Sequence, residues 1–285
     1  DPPLSMKRSK LTLQSLFSIS GQTCSSLKGI LADIDDTITT NGYLTSQAYT
    51  AMEKVQHSNL SLVLVTGRSA GWCDHIARVW PVDGVVGENG AFYFRYDRDK
   101  RRLISRHITP STELTKYNIQ LNRIAEKIFR EVPGAAFASD QKYRLSDLAI
   151  DICEDVIPLS KTDVKRIVKI MEEGGLCAKV SSIHVNGWFG YYNKLDMTKK
   201  LMQECFKVNL NVEKERFLFI GDSPNDEPMF EFFPNSVGVA NISSFLEQLY
   251  FKPKFLTKQS FGSGFVEMAD FIIENRSKSV SSNSN

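Results

Sequence analysis

The segment GILADIDDT, residues 29–37, joins an apolar run to a group of carboxylates. A short apolar run bounded by polar residues is typical of a buried strand. Side chains alternate faces along a strand, so Asp33 and Asp35 are predicted to point the same way, where they can share one Mg²⁺. The alternative is a polar strand end that opens a helix, with Asp36 or Thr37 as its N-cap.

A second acidic group follows another apolar run. FLFI, residues 217–220, leads into GDSPND, residues 221–226, which places Asp222 and Asp226 just beyond a second predicted strand. The carboxyl ends of the strands in an open parallel sheet form the ligand crevice. We therefore expect the two acidic groups to converge on one ion.

Two weaker signals fit the same arrangement. LVLV, residues 62–65, precedes TGRS, residues 66–69, where Thr66 and Gly67 are suited to holding a phosphate oxygen through side-chain and backbone donors. Lys194 precedes a helical pattern and can supply a fixed positive charge. Taken singly, a Thr after a strand is usually turn chemistry and a lone Lys is usually a surface residue. Their order along the chain favours a site.

The ordered segments DIDDT, VTGRS, a Lys before a helix, and GDSPND resemble the four motifs of the haloacid dehalogenase superfamily, in its phosphatase branch. GENGA, residues 87–91, resembles a segment of subfamily IIB, the Cof-type members with a large C2 cap. Sucrose-phosphate, mannosyl-phosphoglycerate and trehalose-phosphate phosphatases belong to that branch. The resemblance implies an α/β fold, with a Rossmann-like doubly wound parallel core and an inserted α+β cap.

The resemblance also implies roles for individual residues. Asp33 is the expected nucleophile, Asp35 the general acid and base, and Thr66 and Lys194 hold the phosphoryl oxygens. The implied Mg²⁺ ligands are Asp33, Asp35, Asp222 and Asp226. The expected substrate-binding residues are Thr66, Gly67, Arg68, Asn89, Arg144, His184, Asn186 and Asn225. A carboxylate is a weak nucleophile toward an anionic ester, so attack requires a cation that cancels the repulsion.

The chain divides into a core and an insertion. Residues 1–26 are predicted to be a partly disordered extension, residues 27–91 and 192–278 the catalytic core, residues 92–191 the cap, and residues 279–285 a disordered tail. Strand and helix patterns alternate in the core, which favours a parallel sheet. The cap pattern contains a hairpin at residues 92–107, helices at 112–131 and 161–173, and strands at 148–152 and 178–185. An antiparallel sheet covered by two helices fits this order.

Length, net charge and composition limit the classes of protein to which this chain can belong. A chain of 285 residues suggests about two domains, and the net charge of +2 with scattered Lys and Arg argues against nucleic-acid binding. No apolar stretch approaches the roughly 20 residues that span a membrane. Five cysteines without a CxxC pair suit free thiols and a cytoplasmic protein. The expected partner is a small phosphomonoester substrate, and the oligomeric state is left open.

The expected substrate is a phosphorylated sugar or a related small metabolite. Trp188 beside polar residues suits a sugar, whose apolar face packs on an aromatic ring. The sequence leaves two alternatives to a phosphatase open. One is a phosphosugar mutase that resembles phosphomannomutase. The other is a non-enzymatic, phosphate-responsive module, which ranks last because a receiver domain would be much shorter.

Overall fold

The computed structural model describes residues 13–282, with side chains to residue 276. Its strands, in chain order, are β1 Gln14–Ser15, β2 Gly29–Ala32, β3 Ser61–Val65, β4 Gly84–Gly87, β5 Phe92–Asp97, β6 Arg102–His107, β7 Ala136–Phe137, β8 Asp147–Asp151, β9 Cys177–Val180, β10 His184–Trp188, β11 Phe217–Gly221, β12 Asn235–Gly238 and β13 Phe255–Leu256. Its α-helices are α1 Gly21–Ser26, α2 Ser46–His57, α3 Ala70–Val79, α4 Ser111–Glu131, α5 Lys161–Glu173, α6 Lys194–Phe206, α7 Leu210–Glu213, α8 Glu227–Phe232 and α9 Phe261–Ser282. None of these helices is both long and apolar enough to cross a membrane.

The core of the described chain is a nine-stranded sheet in the order β1-β13-β12-β11-β2-β3-β4-β5-β6. The strands from β1 to β4 in this order run parallel. Successive residues of the central strands enter different apolar clusters: Ile30 packs with α2 and α9, whereas Leu31 packs with α6 and α8. Helices cover both faces of the sheet, and the central strands are therefore continuous runs of apolar residues in the sequence. The predicted doubly wound α/β core is confirmed.

The hairpin at residues 92–107, assigned to the cap from sequence, instead forms the edge of the core sheet. Strand β5 pairs with β4 in antiparallel register, and β6 pairs with β5. A tight turn at Glu88–Gly90 folds β5 directly back on β4, and Phe92 is fully buried in the core. The prediction failed because local pattern identifies a hairpin without showing which sheet it joins.

The insertion itself carries a second sheet, in the order β7-β8-β10-β9, covered by α4 and α5. We refer to this unit, from α4 to β10, as the cap. All its strand pairs are antiparallel, as predicted. The single strand predicted over residues 178–185 is wrong: the chain turns after Val180 and returns as β10. Ser181 stabilises this turn by accepting the amide of His184.

Both chain ends contain regular secondary structure where the structure describes them. Helix α9 extends to Ser282 and so includes residues 279–282. Strand β1 pairs with β13, and Leu16 and Cys24 are buried, so residues 13–26 belong to the core. Residues 1–12 and 283–285 lie outside the described part of the chain.

Candidate active site

Lys194 is buried at the first position of α6 and joins two of the predicted carboxylates. Its Nζ donates to Asp33 Oδ1 at 2.8 Å and to Asp226 Oδ1 at 2.7 Å. Asp33 follows β2 and Asp226 follows β11, and these strands are neighbours in the sheet. Burial opposes the charge of Lys194, but Asp226 and Asp33 outweigh it and raise the pKa of the ammonium.

Asp222 completes a group of three buried carboxylates with Asp33 and Asp226. One oxygen from each lies within 4.8 Å of the others. Thr37 donates to Asp222 Oδ1 at 3.5 Å, whereas Asp222 Oδ2 is buried without a hydrogen-bond partner among the described residues. Burial raises the pKa of Asp33 to about 8 despite Lys194, and burial also raises the pKa of Asp222 well above its usual range.

The donor set fits a hard divalent cation. The group contains three carboxylates and one ammonium, so the ammonium does not balance the negative charge of the carboxylates. The unpartnered Asp222 oxygen is free to bind a cation. Oxygen-only ligands of this type suit Mg²⁺. The implied ligands are therefore Asp33, Asp222 and Asp226.

The side chain of Asp35 is not part of this carboxylate group, contrary to the prediction that it shares the ion. Strand β2 ends at Ala32, and the chain turns from Asp35 onward, so strand alternation no longer sets the side-chain direction. Asp35 instead accepts hydrogen bonds from Arg68, with Nε at 2.9 Å from both carboxylate oxygens and Nη2 at 2.8 Å from Oδ1. The alternative, a helix with Asp36 or Thr37 as its N-cap, is also wrong for this part of the described chain, which forms a turn with Asp36 at φ 57°.

Hydrogen bonds connect Thr66 and Asn89 to Asn225, which lies next to the carboxylate Asp226 in one turn. Thr66 follows β3, the neighbour of β2, and its Oγ1 accepts the amide of Arg68 at 3.0 Å. Asn89 Oδ1 accepts from Asn225 Nδ2 at 3.4 Å. Asn89 Nδ2 is buried without a partner among the described residues. This amide donor and the Thr66 hydroxyl are suited to phosphoryl oxygens.

Gly90 allows the Lys194 helix to begin against the Glu88–Gly90 turn. Its φ is +109°, and a Cβ there would lie 2.1 Å from the backbone oxygen of Asn193. Asn193 caps α6 by accepting the amide of Asp196 at 2.9 Å. The backbone contact thus sets the position from which Lys194 reaches the carboxylates.

We expect Gly90→Ala to destabilise the protein by about 2 kcal/mol or more, because the left-handed backbone and the clash with Asn193 both oppose a side chain. Phosphate release should fall with it, because α6 must shift. Gly21→Ala is the matched control, since nothing lies within 4 Å of a Cβ at Gly21. Urea unfolding of both variants measures the effect. Equal stability of the two would contradict this role for Gly90.

Arg144 and Asn186 of the cap, which were predicted to bind the substrate, form hydrogen bonds with other residues of the protein. The Arg144 guanidinium is buried between Asp140 and Asp147, and its Nη1 donates to Gly67 O at 2.8 Å. Asn186 Nδ2 donates to Asp147 at 2.9 Å. The Arg144 bond to Gly67 O joins the cap to the loop after β3, whereas the Asn186 bond to Asp147 lies within the cap.

Two carboxylates that link the core and the cap, Glu154 and Glu88, were not predicted from sequence. Glu154 accepts from Arg68 Nη2 at 2.6 Å and pairs with His184 Nε2 at 2.9 Å. Burial opposes its ionisation, but His184 and Arg68 outweigh burial and lower the pKa of Glu154 to about 2. Glu88 accepts the amides of Ala70, Leu145 and Ser146 across the core and cap. The sequence feature that could have identified Glu154 is its position just after the strand predicted at residues 148–152.

Trp188 does not form the predicted sugar platform. Its side chain is 1% exposed and stacks on Tyr192, with ring centroids 5.4 Å apart. His184 is also buried and faces Glu154. The charged pair of Arg68 and Glu154 therefore joins the core and the cap here, whereas Trp188 is packed away from solvent.

Comparison with known families identifies the class of this arrangement. A family model described as haloacid dehalogenase-like hydrolase matches residues 30–142 and 193–249, which contain the four motif segments. The chain belongs to the haloacid dehalogenase-like hydrolases. This hydrolase is a phosphatase, because its family model is that of a hydrolase and its curated relatives are phosphatases.

Individual relatives cover most of the hydrolase. A phosphoglycolate phosphatase from Methanosarcina mazei is 25% identical over 260 residues, covering 87% of this chain and 97% of the relative. The C-terminal domain of trehalose-6-phosphate phosphatase from C. albicans aligns with a TM-score of 0.65 and 13% identity, over 93% of this chain and 99% of that one. Sucrose-phosphatase from Synechocystis aligns with a TM-score of 0.57 and 17% identity, over 86% and 98%. The two structures confirm the predicted fold of core and cap.

Proposed function

We propose that this hydrolase is a Mg²⁺-dependent phosphomonoesterase that works through a phosphorylated Asp33. One observation carries the proposal: buried Lys194 bridges Asp33 and Asp226 beside a third carboxylate with an unpartnered oxygen. An anionic ester can approach these carboxylates only if their charge is offset. Mg²⁺ held by Asp33, Asp222 and Asp226 would supply that charge and polarise the phosphoryl group.

The other residues of the site have complementary roles in this proposal. Lys194 keeps Asp33 in position and offsets negative charge on the phosphoryl oxygens, which Thr66 and the Asn89 amide also bind. Asp35 protonates the leaving oxygen and then deprotonates the water that hydrolyses phosphorylated Asp33. General acid-base catalysis of this kind is typically worth about 10² to 10⁴ in rate. The ion pair with Arg68 fixes the position of the Asp35 carboxylate.

Two classes of substrate follow from different observations. The sequence predicts a sugar phosphate, and the buried position of Trp188 removes the aromatic contact on which that prediction rested. The curated relatives over 87% of the chain are phosphoglycolate phosphatases, which favours a small phosphorylated acid. Both classes are small phosphomonoesters whose leaving groups would contact the cap.

The proposed function is tested by phosphate release from a panel that includes 2-phosphoglycolate, glucose 6-phosphate, a nucleotide and p-nitrophenyl phosphate. Conversion of glucose 1-phosphate to glucose 6-phosphate measures mutase turnover in the same preparations. We expect phosphate release that requires Mg²⁺ and exceeds isomerisation. Isomerisation without net phosphate release would replace this proposal with the mutase alternative.

Asp222→Asn should lower phosphate release at millimolar Mg²⁺ by about 100-fold, because a carboxylate ligand is lost. The variant should melt at or above the wild-type temperature without metal, since a buried negative charge is removed from beside Asp33 and Asp226. Mg²⁺ should raise the melting temperature of the wild type and have little effect on the variant.

Asp74→Asn is the control for this change, because Asp74 is partly exposed on α3 and pairs with Arg78 on the same helix. EDTA should abolish wild-type activity, and added Mg²⁺ should restore it. A rate that is indifferent to EDTA, or equal stabilisation of the wild type and Asp222→Asn by Mg²⁺, would contradict the assigned metal site.

A further inference from the structure

One face of the cap sheet points toward the catalytic core. Asn186 on β10 bonds to Asp147, whose partner Arg144 reaches Gly67 O in the core. Trp188, two residues along the same strand, packs in the apolar cluster of the core. Residues two apart on a strand share a face, so this inward face includes His184 as well.

Lys179 lies on the inward face. In the β9–β10 register it is directly opposite Asn186, and residues directly opposite each other in an antiparallel pair project to the same side. Cys177, two residues earlier, packs against the same core cluster as Trp188. The Lys179 side chain is exposed, in contrast to buried Asn186 beside it.

The Asp and His side chains on the inward face of these strands have partners in the protein. They are paired as follows: Asp147 with Arg144, Asp151 with the amides of Cys153, Glu154 and Asp155, and His184 with Glu154. Among the side chains of residues 13–276, no carboxylate forms an ion pair with Lys179. Lys179 is thus a cation that the described protein leaves available to a ligand.

The position of strand β9 places the charge of Lys179 near the proposed catalytic residues. Strand β9 lies against the turn Pro224–Asp226, which carries Asn225 and the carboxylate Asp226. Lys179 is an exposed residue on the inward face of β9, which places it near the loop that carries Asn225 and Asp226. A flexible ammonium there can reach a charged group distant from the reacting phosphate.

We propose that Lys179 is a specificity-determining residue that binds a second anionic group on the leaving group of the substrate. This inference rests on the proposed function and narrows its substrate class to phosphomonoesters with two charged ends. The second group is a carboxylate or another phosphate, both of which accept hydrogen bonds from an ammonium. A charge-assisted hydrogen bond in a partly enclosed site is expected to favour such esters by about 10- to 100-fold in kcat/KM.

Two pairs of esters that differ by one charged group test the proposal. The pair 2-phosphoglycolate and 2-hydroxyethyl phosphate tests a carboxylate, and the pair glucose 1,6-bisphosphate and glucose 6-phosphate tests a second phosphate. In at least one pair, the wild type should prefer the ester with the extra charge. Lys179→Met should lower kcat/KM for that ester by about 10- to 100-fold and change its uncharged counterpart less than about two-fold.

Matched variants separate recognition from general damage. Lys179→Arg keeps the charge and should retain most of the preference. Lys165→Met makes the same charge change on α5, the helix behind the sheet, and should leave both members of each pair unaffected. Melting temperatures of all variants check the fold.

The results distinguish this inference from the proposed function. If the wild type hydrolyses p-nitrophenyl phosphate with Mg²⁺ but Lys179→Met changes both members of a pair equally, or neither, the role of Lys179 is wrong and the phosphatase mechanism stands. If no ester, including p-nitrophenyl phosphate, releases phosphate, the proposed function fails and this inference fails with it.

Discussion

Asp33→Asn is expected to lower phosphate release by at least about 10⁴-fold, because the amide cannot attack phosphorus to form the covalent intermediate. The substitution keeps the size of the side chain, and its carbonyl oxygen can still accept from Lys194 Nζ, which lies 2.8 Å from Asp33 Oδ1. Burial disfavours the negative charge at this position. The variant should therefore be at least as stable as the wild type without metal.

Two measurements check this prediction. Phosphate release gives the rate, and mass spectrometry after an acid quench should show one added phosphoryl group on the wild type during turnover and none on Asp33→Asn. Asp99→Asn, an exposed position in the β5–β6 turn, is the control and should behave like the wild type. Near wild-type turnover by the Asp33 variant would remove Asp33 as the nucleophile.

Lys194→Met should damage both stability and catalysis. The side chain is about as long, so the main change is the loss of an ammonium that donates to Asp33 and Asp226. Removal of one partner from a buried ionic group leaves uncompensated charge, which typically costs about 3–5 kcal/mol. We expect a loss of this size in the free energy of unfolding, and a fall of at least about 100-fold in phosphate release, because Asp33 loses its positioning contact and the phosphoryl oxygens lose a positive charge.

Lys200→Met is the matched control, because Lys200 is exposed on the same helix α6. Urea unfolding followed by circular dichroism measures stability, and the phosphate assay measures activity. A Lys194 variant as stable as Lys200→Met would show that the buried bridge does not contribute to the fold. Full activity in that variant would remove Lys194 from the proposed mechanism.

The amino-acid sequence by itself determined the elements of the core and the order of its motifs. Helix α5 was predicted with its observed bounds, because its apolar period begins after Ser160 and ends before two glycines. The positions of Asp33, Thr66 and Asp222 after apolar strands were also readable, since parallel strands β11, β2 and β3 present their carboxyl ends at one edge of the sheet. Local pattern and the geometry of a parallel sheet suffice for these features.

Only the tertiary structure decided which partners the remaining side chains have. Asp35 pairs with Arg68, Arg144 is buried between two aspartates, and Trp188 packs on Tyr192. The β5–β6 hairpin joins the core sheet, and the inward direction of Lys179 depends on the β9–β10 register. These contacts join segments that are distant in the chain. Their contribution to the free energy of folding depends on how deeply the side chains are buried and how far apart they lie. Both are set only when the cap has folded onto the core.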